Sequence, residues 1–193
     1  MIDKAIAHLV ARLNDHFDYV PGSGPPPVVA SSLLDLDGSA APNVDSKLVV
    51  FLTNVAKDTT ARTLARRSGA GTAADALVSV RPPISFNLFV MVAVVTQGEQ
   101  YAQGLAKLSR AIEFFQANPV LDQRSSPGLD RRIERLALDI ENLDISDLGN
   151  LWGVLSGRYL PSVLYRVRML TFDTGAVTGR PAVLREPELK AGS

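Results

Sequence analysis

The feature that most limits how this chain can fold is an apolar run that follows a double proline. The run from Phe86 to Val95 is apolar except for Asn87, and Pro82 and Pro83 precede it. It has about half the length that a membrane-spanning helix needs, because such a helix carries about 20 apolar residues. The prolines favour an extended entry, since the residue before a proline avoids helical geometry. We therefore predict a buried strand at 84–95, in the core of one domain.

Two other stretches carry apolar residues at spacings of three and four, which is typical of amphipathic helices. The first covers residues 2–17 and the second covers 99–118, where Pro119 ends it. Gly104 lies inside the second helix and weakens it, because glycine is a poor helix former. A third, shorter helix is predicted after Asp144 or Ser146, with Gly157 as its end.

Alternating or continuous apolar residues predict four further strands. The last of them carries two arginines on one face, which we expect to meet solvent or a partner. The predicted strands are 28–34, 48–56, 135–141 and 163–171.

The order of these elements predicts an α+β fold, in which helices pack on one face of a mixed or antiparallel sheet. A chain of 193 residues suits one domain, which we place at 1–173. The segment 57–80 is polar and rich in small residues, so we expect a long mobile loop there. The segment 174–193 is rich in proline, glycine and charge, and it is expected to be a flexible tail.

The sequence offers no recognisable set of catalytic or metal-binding residues. There is no cysteine, which excludes thiolate nucleophiles and cysteine-ligated metals. His8 and His16 both lie on the first helix, roughly 12 Å apart along its axis, which is too far for one metal. No serine lies in a GxSxG context, and no base for a catalytic triad is apparent. We predict a protein that is not an enzyme and that has no cofactor and no metal site.

Two loop sequences have a superficial likeness to ligand-binding motifs. The segment DLDGSAAPNVD at 35–45 lacks the ligand spacing and the closing glutamate of a calcium loop. The segment RRSGAGTA at 66–73 lacks the spacing of a phosphate-binding loop. We interpret the first as an exposed turn and the second as part of the mobile loop.

The charge balance favours a protein partner over nucleic acid or membrane. Twenty basic residues match twenty acidic ones, so the molecule has no net field that attracts a polyanion. The N-terminal residues lack the uninterrupted apolar stretch of a signal peptide, and export by that route is not expected. Candidate interface residues are the charged or aromatic side chains Arg62, Arg66, Arg67, Trp152 and Tyr159, although core burial is the more common role of a tryptophan.

Several segments together resemble one known family. They are MIDKAIAHLVARL at 1–13, LVVFLTNVAKD at 48–58, PPISFNLFVMV at 82–92, AIEFFQANPVL at 111–121 and DISDLGNLWGVLSGRYLPSVLYRVRMLTFD at 144–173. In order and spacing the chain is similar to the tail-terminator, or cap, proteins of contractile injection systems of the antifeeding-prophage and virulence-cassette type. These are phage-tail-like particles.

The resemblance implies a structural cap that forms a ring, expected to be a homo-hexamer, on the end of an inner tube and outer sheath. Such a cap would stop the growth of the particle and help to set its length. Its partners would be copies of itself and the tube and sheath proteins. It would be cytoplasmic during assembly and then part of a released, extracellular particle. The alternative is a monomeric adaptor or assembly chaperone that binds one protein partner.

Overall fold

The computed structural model of the protein describes residues 1–35, 37–58, 85–96, 98–155 and 158–171. The predicted tail at 174–193 and nearly all of the predicted loop at 57–80 lie outside the described residues. Within the described ranges the elements are helices α1 (Ile2–His16), α2 (Tyr101–Ala117) and α3 (Ile145–Leu155) and strands β1 (Val28–Ala30), β2 (Leu48–Lys57), β3 (Ser85–Val94), β4 (Val120–Asp122), β5 (Ile133–Ile140) and β6 (Ser162–Thr171).

The six strands form a single mixed sheet in the order β1-β2-β3-β6-β5-β4. Strand β1 runs parallel to β2, and all the other neighbours are antiparallel. The apolar strand that was predicted from the double proline is β3, and it lies in the interior of the sheet between β2 and β6. The α+β class with a mixed sheet is therefore confirmed.

Helices α1 and α2 cover one face of the sheet. Leu9 and Leu13 of α1 and Phe115 of α2 are buried against side chains that alternate along the strands. The ring of Phe115 meets the ring of Tyr165 at 5.2 Å in an edge-to-face arrangement. This face holds the larger of two apolar clusters, with Leu48, Val50, Leu88, Val90, Val92, Leu136, Leu138, Val167 and Met169 among its strand residues.

Helix α3 packs on the opposite face, whereas the sequence placed all the helices on one face. Trp152 of α3 is buried in a second cluster with Val49 and Met91, which are strand residues between members of the first cluster. Because successive strand residues point to opposite faces, the two clusters are separated by the sheet. The continuous apolar character of β2 and β3 follows from this, since both of their faces are covered.

A β-bulge in β2 sets which side chains reach the α3 face. The register against β3 shifts between Leu52 and Asn54, so Thr53 is the extra residue. The Thr53 hydroxyl donates a hydrogen bond of 3.0 Å to the carbonyl oxygen of Phe89. Asn54 and Phe89 are then cross-strand partners on the side of the sheet where α3 lies.

Candidate interaction surface

The structure brings together two of the five residues that were predicted for an interface. Trp152 is only 3% exposed, and its indole is a core group of the second cluster. Tyr159 is 62% exposed, and its ring contacts the Trp152 ring edge-on at 6.0 Å. Arg62, Arg66 and Arg67 lie outside the described residues. Burial leaves Tyr159, and not Trp152, available to a partner.

Helix α3 presents apolar side chains on its outer side as well as towards the core. Ile145 is 90% exposed and Val154 is 87% exposed. A Cβ atom added at Gly149 or Gly153 would meet nothing within 4 Å, so no described residue covers the helix at these two positions. The part of the chain that the structure describes therefore leaves two separate apolar side chains of α3 uncovered. They lie on opposite flanks of the helix, because the nine residues that separate them correspond to two and a half turns.

A groove runs along the flank of α3 that carries Val154, between this helix and the sheet. We call it the α3 groove; it encloses about 440 Å³, and its lining includes Thr53, Phe89, Leu143, Leu151, Val154 and Leu164. Glu141, Asp147 and Asn150 supply polar groups to the same lining. The groove thus has apolar walls with carboxylates on one side.

Acidic residues dominate the chain on either side of the start of α3. The segment 139–147 contains Asp139, Glu141, Asp144 and Asp147 and no lysine or arginine. Asp144 caps α3, because its Oδ1 accepts a hydrogen bond of 2.7 Å from the backbone N–H of Asp147. This acidic run was visible in the sequence, but only the fold places Glu141 and Asp147 of the run in the lining of the α3 groove.

The two arginines of β6 share one face of the sheet, as their alternation predicted, and the structure shows that it is the face on which α3 packs. Arg166 lies 3.7 Å from the Asp139 carboxylate and 3.4 Å from the Glu141 carboxylate. The Nε of Arg168 lies 3.3 Å from the buried Asp58 carboxylate at the end of β2. Both side chains are therefore engaged within the chain. Among the described residues, no cation pairs with Asp144 or Asp147, which leaves the start of α3 negatively charged.

A buried histidine–serine contact, which the sequence did not suggest, joins α1 to the loop after β4. The Nε2 of His8 and the hydroxyl of Ser126 share a hydrogen bond of 2.6 Å, and the two residues are 118 positions apart. Both are buried. Burial is the main cause that lowers the pKa of His8, and the nearby charge of Arg12 lowers it further, while Asp15 has the opposite effect. The contact holds this loop against the helix in the neutral form of the imidazole.

The lowered pKa of His8 predicts a loss of stability in mild acid. Below about pH 6.5 the unfolded chain gains a proton on this histidine that the folded chain resists, so the free energy of unfolding falls as the pH falls. Thermal unfolding at pH 7.5 and at pH 5.5 measures the effect. We expect His8→Gln to weaken the dependence of stability on pH, whereas the matched change His16→Gln should leave this dependence in place. An equal dependence on pH in the two variants would contradict the attribution of the effect to His8.

The aspartates of the region that has a superficial likeness to a calcium loop are exposed, as expected for the predicted turn, whereas Ala41 and Val44 of the same region are buried in the second cluster. The Asp37 carboxylate accepts hydrogen bonds from the Ser39 backbone N–H at 2.9 Å and from the Ser39 hydroxyl at 2.6 Å. Its pKa is lowered by these bonds. Across the described ranges there is no group of three or more histidine, aspartate or glutamate residues that could hold a metal ion. No helix in them is long and apolar enough to cross a membrane.

Comparison with solved structures finds a similar fold in a particle terminator. The PVC sheath/tube terminator of an extracellular contractile injection system, in its extended state, aligns with a TM-score of 0.59 and 15% identity over 100% of this chain. The anti-feeding prophage cap, which terminates its tube, aligns with a TM-score of 0.49 and 14% identity over 96% of this chain. This chain spans 64% and 59% of their respective lengths. No curated protein sequence matches it.

Comparison with family models gives a match over nearly the whole sequence. Residues 4–186 match the family described as the Pvc16 N-terminal domain. The predicted resemblance to tail terminators is confirmed by this match together with the shared fold. The chain belongs to the Pvc16 N-terminal domain family.

Proposed function

We propose that this protein is a structural cap that terminates the inner tube and the sheath of a contractile injection particle. The observation that carries the proposal is the family match over residues 4–186, since the full chain also shares the fold of a sheath/tube terminator. The cap acts as a ring of identical subunits, six in number, and its partners are tube and sheath subunits. It acts by contact alone, without catalysis or a cofactor.

The surface of the chain is suited to repeated protein contacts. A ring subunit needs a rigid core and two different complementary patches, because each copy meets its neighbours head to tail. The sheet is covered on both faces, which supplies the rigid core. The exposed residues Ile145, Val154 and Tyr159 supply apolar contact area of the kind that is found in the centre of protein interfaces.

Assembly in the cytoplasm and later release with the particle follow from this role. A cap must be available while the tube and the sheath grow, and it then stays on the finished particle. The monomeric adaptor or chaperone is the competing role, and it would leave the particle once assembly ends. The presence of the chain in purified, released particles therefore separates the two roles.

The direct test adds the purified chain to growing tube and sheath and images the products by negative-stain electron microscopy. A cap is expected at the end of each particle, with a narrow distribution of lengths. Without the chain, open ends and a broad distribution of lengths are expected. A chain that binds subunits but never remains on particle ends would instead be an assembly factor.

Charge reversal in the arginine-rich segment is expected to weaken capping without lowering thermal stability. The variant is Arg62→Glu, Arg66→Glu and Arg67→Glu, and the measurements are the fraction of capped ends and the Tm. A control with the same change in net charge is Arg124→Glu, Arg131→Glu and Arg135→Glu, at exposed positions of the loop after β4 and of β5. Equal capping by the two variants would show that the segment is not a docking element.

A further inference from the structure

The α3 groove, with the exposed side chain of Val154 in its lining, is a surface that is suited to binding another polypeptide. Val154, which is 87% exposed, lies in the lining of the groove between α3 and the sheet, together with the apolar residues Leu143, Leu151 and Leu164. Exposed apolar residues that lie next to a concave apolar wall are a common sign of a binding site. The occupant must therefore supply apolar side chains.

The charge of this surface selects a basic occupant. Glu141 and Asp147 lie in the groove lining, and Asp144 directly precedes α3. Arg166 offsets the charge on one side by its contacts with Asp139 and Glu141, but no described cation pairs with Asp147. Complementary charge fixes the register and rejects acidic partners.

One segment of this same sequence has the required chemistry. Residues 59–84 contain four arginines and one aspartate, a net charge of +3 over 26 residues. Leu64 lies between Arg62 and Arg66, so an apolar side chain is available among the positive charges. The net charge of this segment is opposite in sign to the carboxylates of Glu141 and Asp147 in the lining of the α3 groove.

The length of this segment allows it to reach a neighbouring copy. The two described residues that flank it are held together where β2 and β3 meet, because the backbone N–H of Asp58 donates a hydrogen bond of 3.0 Å to the carbonyl oxygen of Ser85. Half of 26 residues can span up to about 45 Å when extended. A folded domain of this size has a radius of gyration of about 16 Å.

We infer that the α3 groove of one copy binds the basic segment 59–84 of a second copy. The inference rests on the proposed ring, because a head-to-tail ring joins two different patches and each copy then offers one and receives the other. This contact is a subunit interface, and it is distinct from the surface that meets the tube.

Cross-linking between cysteines tests the contact directly, because the natural chain contains none. Two single variants, Ser68→Cys and Val154→Cys, are mixed under the conditions of cap assembly and oxidised. A disulfide-linked pair of chains is expected on a non-reducing gel. A mixture of Ser68→Cys with Glu113→Cys, on the exposed side of α2, is the matched control and should give at least tenfold less product.

Exchanging the charges tests whether the acidic groove and the basic segment contact each other. Asp147→Lys with Asn150→Lys, introduced in the Val154→Cys copy, is expected to lower the cross-linking yield roughly tenfold. Adding Arg66→Glu and Arg67→Glu to the Ser68→Cys copy should restore the yield, since the two charges have then been swapped. Failure of the second change to restore the yield would contradict the assigned contact.

Three outcomes overturn the inference. One is a yield no higher than that of the control. Another is a Ser68→Cys, Val154→Cys double variant that cross-links only within one chain, which would place the segment in its own groove. The third is a yield that is unaffected by the charge changes. If the unmodified chain still caps particles in any of these cases, the proposed function stands and only this interface is wrong. If the copies cross-link as expected but the chain does not cap particles, the interface stands and the proposed function is wrong.

Discussion

Replacing Trp152 with alanine is expected to lower the free energy of unfolding by about 3–5 kcal/mol. The indole is 3% exposed and packs against Val49, Met91 and Leu164, so its removal leaves a cavity under α3. Neighbouring side chains cannot fill such a cavity without leaving their own contacts. Urea or thermal unfolding of the purified variant measures the loss.

Two control substitutions separate burial of the ring from other roles of Trp152. Trp152→Phe keeps an aromatic ring and removes an indole N–H that has no hydrogen-bond partner within the described part of the chain, so a loss below about 1.5 kcal/mol is expected. Val154→Ala changes an exposed residue of the same helix and should alter stability by less than about 0.5 kcal/mol. Normal stability of Trp152→Ala would show that α3 does not depend on the second cluster.

Replacing Gly104 with alanine is expected to destabilise the protein by about 1–2 kcal/mol, although alanine is the better helix former. A Cβ atom at this position would lie 2.4 Å from Cγ2 of Thr96 and 2.9 Å from Cγ1 of Val94. Both neighbours are β-branched and stiff, so α2 would have to move away from the end of β3. The comparison of Tm values for the two proteins measures the effect.

The same substitution at Gly149 is the matched control. Its Cβ would meet nothing within 4 Å, and it lies in a helix, so Gly149→Ala is expected to stabilise by up to about 1 kcal/mol. Thr96→Ala combined with Gly104→Ala should recover part of the loss, since it removes the atom at 2.4 Å. Similar effects at the two glycines would mean that helix propensity, and not the close approach, decides the outcome.

Gly104 also illustrates what the sequence could and could not reveal. The spacing of apolar residues predicted the helix at 99–118, and α2 spans Tyr101–Ala117. In the sequence the glycine counts only as a weak point. A glycine is needed at this position because α2 closely approaches the end of β3, which lies earlier in the chain. No local sequence pattern shows such an approach.

Long, regular patterns predicted the elements well, and short or non-local features were missed. Helix α1 and strand β3 lie within one residue of their predicted bounds at each end. Strand β4 was not predicted, because its three residues follow Pro119 directly and are too few for a pattern. Strand β1 is shorter than the predicted 28–34, since it pairs with β2 only from Val28 to Ala30.

The candidate surface was predicted only in part, for a related reason. Helical spacing identified Trp152 as a core or interface residue, and burial settles that it is core. The same spacing cannot tell that Ile145 and Val154 are exposed, because that depends on which neighbours cover α3. His8 and Ser126 are far apart in the sequence, and only the folded chain brings them together.

The pairing of β3 with β6 has a consequence for synthesis on the ribosome. Ser85 pairs with Leu170 and Ala93 with Ser162, so the central ladder joins distant parts of the polypeptide. Formation of such non-local contacts is slow, because the intervening chain must first be closed into a loop. The backbone groups along one edge of nascent β3 therefore lack their hydrogen-bonding partners until nearly all of the described domain has emerged. During that interval the open edge of β3 can pair with the edge of another unfinished chain, and this hazard ends only when β6 has been synthesised.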